Sequence, residues 1–166
     1  MDVSIRQARP AEFEELGELT AQAYLGDGLL DLGADDPYLE QLRAVGRRAA
    51  EADVLVALDA DGRLLGGVTY VAPGSPWADI AGEDEAEFRM LAVSPEARGR
   101  GAGEALVRAC VDRARAAGGL SGLVLSTQRS MPGAHRLYRR LGFVRTPERD
   151  WCPLPDLPLL TFRLEL

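Results

Sequence analysis

A strand that runs into a glycine-dense turn and straight on into a helix is the feature that most restricts this chain. Glu85 to Val93 reads as a strand and Ser94-Pro95-Glu96-Ala97 turns it. Arg98-Gly99-Arg100-Gly101-Ala102-Gly103 then opens a helix whose Leu106, Ala109, Cys110 and Ala114 share one side. Such a junction leaves backbone N–H groups unpaired at the positive end of a helix dipole, a setting that favours a phosphate or pyrophosphate. Arg98 and Arg100 add positive charge locally, on a chain whose 19 basic and 26 acidic residues leave a formal net charge of −7. The anion site is therefore a local feature, and the overall sign disfavours nucleic acid and anionic membranes as partners. The glycines alone also allow a plain turn flanked by solvated arginines.

Composition narrows the chemistry further. Every basic residue apart from His135 is an arginine, so a lysine-dependent phosphate loop, a Schiff-base enzyme and a pyridoxal-phosphate enzyme are excluded. A dinucleotide-binding loop would follow the first strand as G-x-G-x-x-G, whereas here the glycines fall at 99, 101 and 103, after three earlier strands. Two distant cysteines, Cys110 and Cys152, and the single His135 form neither a C-x-x-C centre nor a zinc site, so no metal is expected. His135 is expected to face solvent. Met1 to Arg6 lacks the basic and apolar blocks of a leader, and no apolar run is long enough to span a bilayer, which leads to the expectation of a cytoplasmic protein. The absence of Lys and Asn points to a GC-rich coding sequence of bacterial type.

The remaining elements follow from periodicity. Val3 to Arg6 is a short strand, and Phe13, Leu16, Leu19 and Ala23 mark a helix entered at Pro10. An acidic, Gly-rich loop over 26–36 leads to one further helical pattern carrying Leu39, Leu42, Val45 and Ala49. Val54 to Leu58, Asp61-Gly62 and Leu64 to Val71 form a hairpin signal. The connection from Ala72 to Asp84 is polar, with Trp77 expected on the surface. Leu123 to Thr127 is a buried strand, and a short helix from Pro132 to Gly142 carries Ala134, Leu137, Tyr138 and Leu141. Phe143-Val144 begins another strand, and Leu160, Phe162 and Leu164 alternate in a last one. Pro153, Pro155 and Pro158 predict an irregular stretch between these two. The pattern, a consecutive antiparallel run plus one helix-crossed parallel step, defines an α+β fold with a mixed sheet, as one domain over residues 1–166.

Met90 to Gly103 resembles the acetyl-CoA-binding motif of the GNAT superfamily of N-acetyltransferases, Gln/Arg-x-x-Gly-x-Gly/Ala, with Arg98, Gly101 and Gly103 in its fixed places. A second element of that family, Ala-x-x-Leu-Tyr-x-x-x-Gly-Phe, is matched by Ala134, Leu137, Tyr138, Gly142 and Phe143. The order of elements is similar across nearly the whole chain, although only 90–143 carries specific residues. The resemblance implies a three-layer sandwich around a mixed, largely antiparallel sheet splayed between its fourth and fifth strands. It implies acetyl-CoA as co-substrate, held by the backbone of Leu91, Ala92 and Val93 and by the loop Arg98, Gly99, Arg100, Gly101, Ala102 and Gly103. Thr127, Met131, Ala134 and Tyr138 complete the cofactor side. Many relatives have Asn where this chain has Met131, so a polar contact from that position is replaced by an apolar cover.

Transfer to an amine needs a proton acceptor for the nucleophile and a proton for the departing thiolate. By the resemblance Tyr138 is the donor, a phenol of reference pKa about 10 against about 8.5 for a thiol. Glu87 and Glu85 share a strand face and are both candidates for the base, Glu87 being preferred. Arg149, Asp150, Trp151, Tyr24, Trp77 and the 26–36 loop are candidates for the acceptor pocket. The implied activity is acetyl transfer to a primary amine, of a small molecule or of a protein, with a non-catalytic acyl-CoA sensor as the other reading. A homodimer is left open.

Overall fold

The computed structural model describes residues 3–166; Met1 and Asp2, part of the stretch inspected for a leader, lie outside the described residues. The first half of the chain forms an antiparallel meander: β1 (Ser4–Gln7) pairs with β2 (Asp53–Leu58), β2 with β3 (Leu64–Val71), and β3 with β4 (Glu85–Val93). The β2–β3 turn is closed by Asp59, whose Oδ1 accepts from the N–H groups of Asp61 and Arg63. Between β1 and β2 lie α1 (Phe13–Gly26), α2 (Tyr38–Arg43) and α3 (Val45–Glu51). From β4 the chain crosses through α4 (Ala102–Ala117) to β5 (Gly122–Gln128), which is parallel to β4. The last part is α5 (Pro132–Arg140), β6 (Val144–Arg145), β7 (Trp151–Leu154) and β8 (Leu157–Glu165), with β8 antiparallel to β5, β6 and β7. The sheet order is β1-β2-β3-β4-β5-β8-β6, with β7 on β8. The α+β sandwich with a mixed, largely antiparallel sheet is as expected.

Strand alternation divides the interior into layers. Along β2, Leu55 and Ala57 join the core beneath α4 and α5, with Leu106, Tyr138 and Phe162, whereas Val54, Val56 and Leu58 pack with Leu16 of α1 and Val45 of α3. A third cluster joins Leu39 and Leu42 of α2 to Val71, Trp77 and Met90.

The two central strands part early. The β4–β5 ladder runs only from Glu85↔Gly122 to Glu87↔Val124, and beyond it Phe88, Arg89, Ala92 and Val93 of β4 pair with β3 alone. The register against β3 shifts between Gly67 and Thr69, and Met90 there has φ +57. A bulge of this kind bends its strand and deepens its twist, which turns the end of β4 away from β5 and opens the sheet. The backbone groups along the opening must then find partners elsewhere.

Three expectations are corrected. The helical pattern after Pro37 is two helices, broken at Ala44, because the buried Arg48 guanidinium reaches back to the Gln41 and Leu42 carbonyls and to Thr69 Oγ1. Trp77 is only 9 % exposed, its indole N–H on Glu51 Oε1 at 3.3 Å and the Arg89 guanidinium over its ring. The proline-rich stretch is a β7–β8 hairpin, since a register shift between Trp151 and Leu154 accommodates Pro153 on an outer strand. Among the described residues, no helix is long and apolar enough to cross a membrane.

Candidate active site

The turn after β4 forms an open cradle. Gly99 and Gly101 have φ of +81° and +82°, and Gly101 is the N-cap of α4, with no side chain capping the amides behind it. A Cβ at either glycine would meet nothing within 4 Å, so backbone conformation rather than crowding selects glycine here. Uncapped amides at the mouth of a long helix are suited to an anion. The cradle forms one wall of a cavity of about 570 Å³, lined also by Leu91, Ala92 and Val93 from the bent end of β4 and by Met131, Ala134 and Leu137 at α5. These features fit a ribbon-like, phosphate-bearing carrier: an apolar floor in the splay, and donors at one end.

The remaining residues expected on that side are placed differently from one another. Arg98 lines the cavity, but its guanidinium grips both oxygens of Asp27 at 2.8 Å, tying the loop to the end of α1. Arg100 lies outside the lining residues. Thr127 lines a second cavity instead, with its hydroxyl 3.9 Å from Met131 Sδ. His135, expected at the surface, is buried against Phe162, with Nε2 2.9 Å from the Gln128 carbonyl oxygen. The turn that opens α5 brings it inward.

The second cavity, about 540 Å³, lies beyond the splay and shares Tyr24, Leu29, Leu91 and Met131 with the first. Glu87 and Tyr138 line it. Tyr138 is packed between Phe88, Phe143 and Phe162, and burial pushes its phenol well above the ordinary range, so it stays protonated. Glu87 is fully buried. Its Oε1 accepts from the backbone N–H groups of Asp79, Ile80 and Ala81 at 2.9, 3.0 and 3.1 Å, while its Oε2 has no partner. Desolvation raises its pKa above the usual carboxylate value, against the pull of those three bonds.

Glu85 has the opposite environment. Arg149 donates two bonds to it at 2.8 and 2.9 Å, Arg163 one at 2.8 Å, and the Gly82 N–H a fourth at 2.9 Å. The Arg149 bonds, foremost, hold its pKa at about 2 against the ordinary 4.5, and it lies outside both cavities. A carboxylate depressed on folding stabilises the fold above its unfolded pKa and loses that contribution as pH falls through the folded value. Stability is therefore expected to drop by roughly 2 kcal/mol between about pH 4.5 and pH 2 through this group, an amount reduced by the part-exposed arginines. Acid denaturation followed by circular dichroism checks it, with Glu85→Gln expected to flatten that limb.

Of the other acceptor-pocket candidates, Tyr24, Trp151 and part of the 26–36 loop line the second cavity, whereas Trp77, Arg149 and Asp150 do not. Arg89, Tyr38, Asp79, Leu157 and Leu159 line it unforeseen. Arg89 had a legible signal, since it continues the Glu85, Glu87 alternation of charge along a buried strand.

Comparison with known proteins gives the class. The Acetyltransferase (GNAT) family model matches residues 13–143. An uncharacterized N-acetyltransferase of Schizosaccharomyces pombe is 30% identical over 152 residues, covering 90% of this chain and 86% of that protein. A mycothiol acetyltransferase of Cellulomonas flavigena is 42% identical over 88 residues, 52% of this chain; the alignment spans only 25% of that protein's length. Among solved structures, a phosphinothricin acetyltransferase of Sinorhizobium meliloti in complex with acetyl-CoA superposes with a TM-score of 0.74 at 23% identity, over 100% of this chain and 89% of that one. The fold is shared with that structure. This chain belongs to the GNAT acetyltransferase family.

Proposed function

We propose that the protein transfers the acetyl group of acetyl-CoA to the primary amine of a small molecule by direct attack, with residues 1–166 acting as one domain. One observation carries this reading. The cavity walled by the glycine cradle and the cavity lined by Glu87 and Tyr138 meet at Leu91 and Met131, so a carrier in one presents its end to a nucleophile in the other. Acetyl-CoA, when bound, supplies an activated acyl carbon and a thiol leaving group. The amides that open α4 bind its diphosphate, and the backbone of Leu91, Ala92 and Val93 in the splay binds its amide-bearing arm. Met131 covers that arm with its thioether.

The proton balance falls to two side chains. Glu87 takes, at its unpartnered Oε2, the proton shed by nitrogen as the C–N bond forms. Tyr138 gives its phenolic proton to sulfur as the C–S bond breaks, and exchange with solvent restores both groups. Glu85, already neutralised by two arginines, holds the base of β4 in place.

The test is coenzyme A thiol release with a panel of amines and peptides, with products identified by mass. Acetylated small amines support the reading; acetylation of peptides alone, or acetyl-CoA binding without thiol release, contradicts it. Because Glu87 must be ionised to act and its pKa is raised, kcat/KM is expected to fall with decreasing pH through a limb lying above 4.5. Glu87→Gln is expected to remove that limb and lower the rate about 100-fold, whereas Glu85→Gln keeps the limb. Loss of the limb in Glu85→Gln alone transfers the role to Glu85.

A further inference from the structure

We infer that the acceptor is an aryl-alkylamine: a primary amine on an apolar, ring-bearing body with no carboxylate beside the nitrogen. The inference rests on the acetyl-transfer reading and concerns the second cavity alone. Arg89 is the one cationic side chain among the described residues lining that cavity. All three of its nitrogens are engaged: Nε pairs with Asp79 at 3.1 Å, Nη1 donates to the Trp77 carbonyl at 2.8 Å, and Nη2 donates to the Tyr38 hydroxyl at 3.2 Å. Asp79 is the carboxylate it pairs with, and three more, Asp31, Asp36 and Glu87, line the cavity with no cation paired to them there. A substrate carboxylate entering here would find no uncommitted cation and would face an excess of like charge, whereas an ammonium is drawn in and gives one proton to solvent before the neutral amine attacks.

The rest of the wall selects the body. β7 and β8 supply Trp151, Leu154, Leu157 and Leu159, and the loop after α1 supplies Leu30. The Trp151 ring is held in one orientation by its N–H bond to Ser126 Oγ at 3.0 Å, which gives a fixed flat surface. Leu154 stands 49% exposed at the hairpin tip, an apolar side chain whose surface is not covered by the protein itself. Polyamines and aminoglycosides, polar along their whole length, would leave this wall unused. At the inner end the unpartnered oxygen of Glu87 awaits a proton donor, which the amine provides.

Steady-state kinetics with matched pairs test the inference: tryptamine against tryptophan, phenethylamine against phenylalanine, and spermidine as a polar cation. Each amine is expected to exceed its amino acid in kcat/KM by about 100-fold or more, and spermidine by a similar factor. Leu154→Asp, at a position exposed enough for folding to be untouched, is expected to raise KM for tryptamine about tenfold with kcat within about twofold. Tryptophan or spermidine turning over as well as tryptamine, or an unchanged KM in Leu154→Asp, overturns the substrate class and leaves acetyl transfer standing. No thiol release with any amine overturns both.

Discussion

Gly101→Asp is expected to weaken acetyl-CoA binding about 100-fold while leaving the far-UV spectrum unchanged. Gly101 sits at φ +82, where an L side chain costs about 1–2 kcal/mol of folding stability, in free and bound protein alike. Binding is weakened by a second effect: an aspartate there places a carboxylate over the amides that open α4, satisfying them itself and repelling a diphosphate. Loss of charge-assisted bonds and of the dipole contact is worth about 3 kcal/mol, or about two decades in Kd. The fold survives because the added Cβ meets no atom within 4 Å. Isothermal calorimetry with acetyl-CoA checks the result; an unaltered Kd would remove the cradle from the account.

Tyr138→Phe separates chemistry from packing. The ring stands 6.0 Å from Phe88, 6.0 Å from Phe143 and 5.7 Å from Phe162, and phenylalanine retains all three contacts. Only the hydroxyl is lost. Its single task in the proposed reaction is to protonate the leaving sulfur, so kcat is expected to fall about 100- to 1000-fold with acetyl-CoA affinity changed less than about threefold. Pre-steady-state thiol release distinguishes a slow chemical step from slow product departure. A variant with full kcat would mean that solvent protonates the thiolate and that Tyr138 is an aromatic of the core.

The contrast between what could be read from the chain and what could not has a common physical origin. Local devices were legible: the glycines at the mouth of α4, the alternation along β2, the Asp59 to Arg63 turn and the entry of α5 at Pro132 each act through residues a few positions apart. Features set by distant partners were not. The difference between Glu85 and Glu87 arises from Arg149 and Arg163, 64 and 78 positions from Glu85, and from the amides of the 79–81 segment. Arg48 breaks the helix after Pro37 by capturing carbonyls with a side chain that the helical pattern places on its polar face. Trp77 is buried because Glu51 and Arg89 meet it, and neither partner is visible from its polar neighbourhood. The bulge at Met90 is the hardest case, since a methionine gives no warning of a left-handed backbone. Yet that residue bends β4 from β5 and so opens the cleft on which the whole site depends.

The most direct measurement is a crystal structure of the protein with coenzyme A and tryptamine. It is expected to place the diphosphate on the amide groups of Gly103 and its neighbours, the sulfur at the junction beside Leu91 and Met131, and the amine between Glu87 and that sulfur. A carrier bound elsewhere, with the α4 amides turned onto other parts of the chain, would contradict the account.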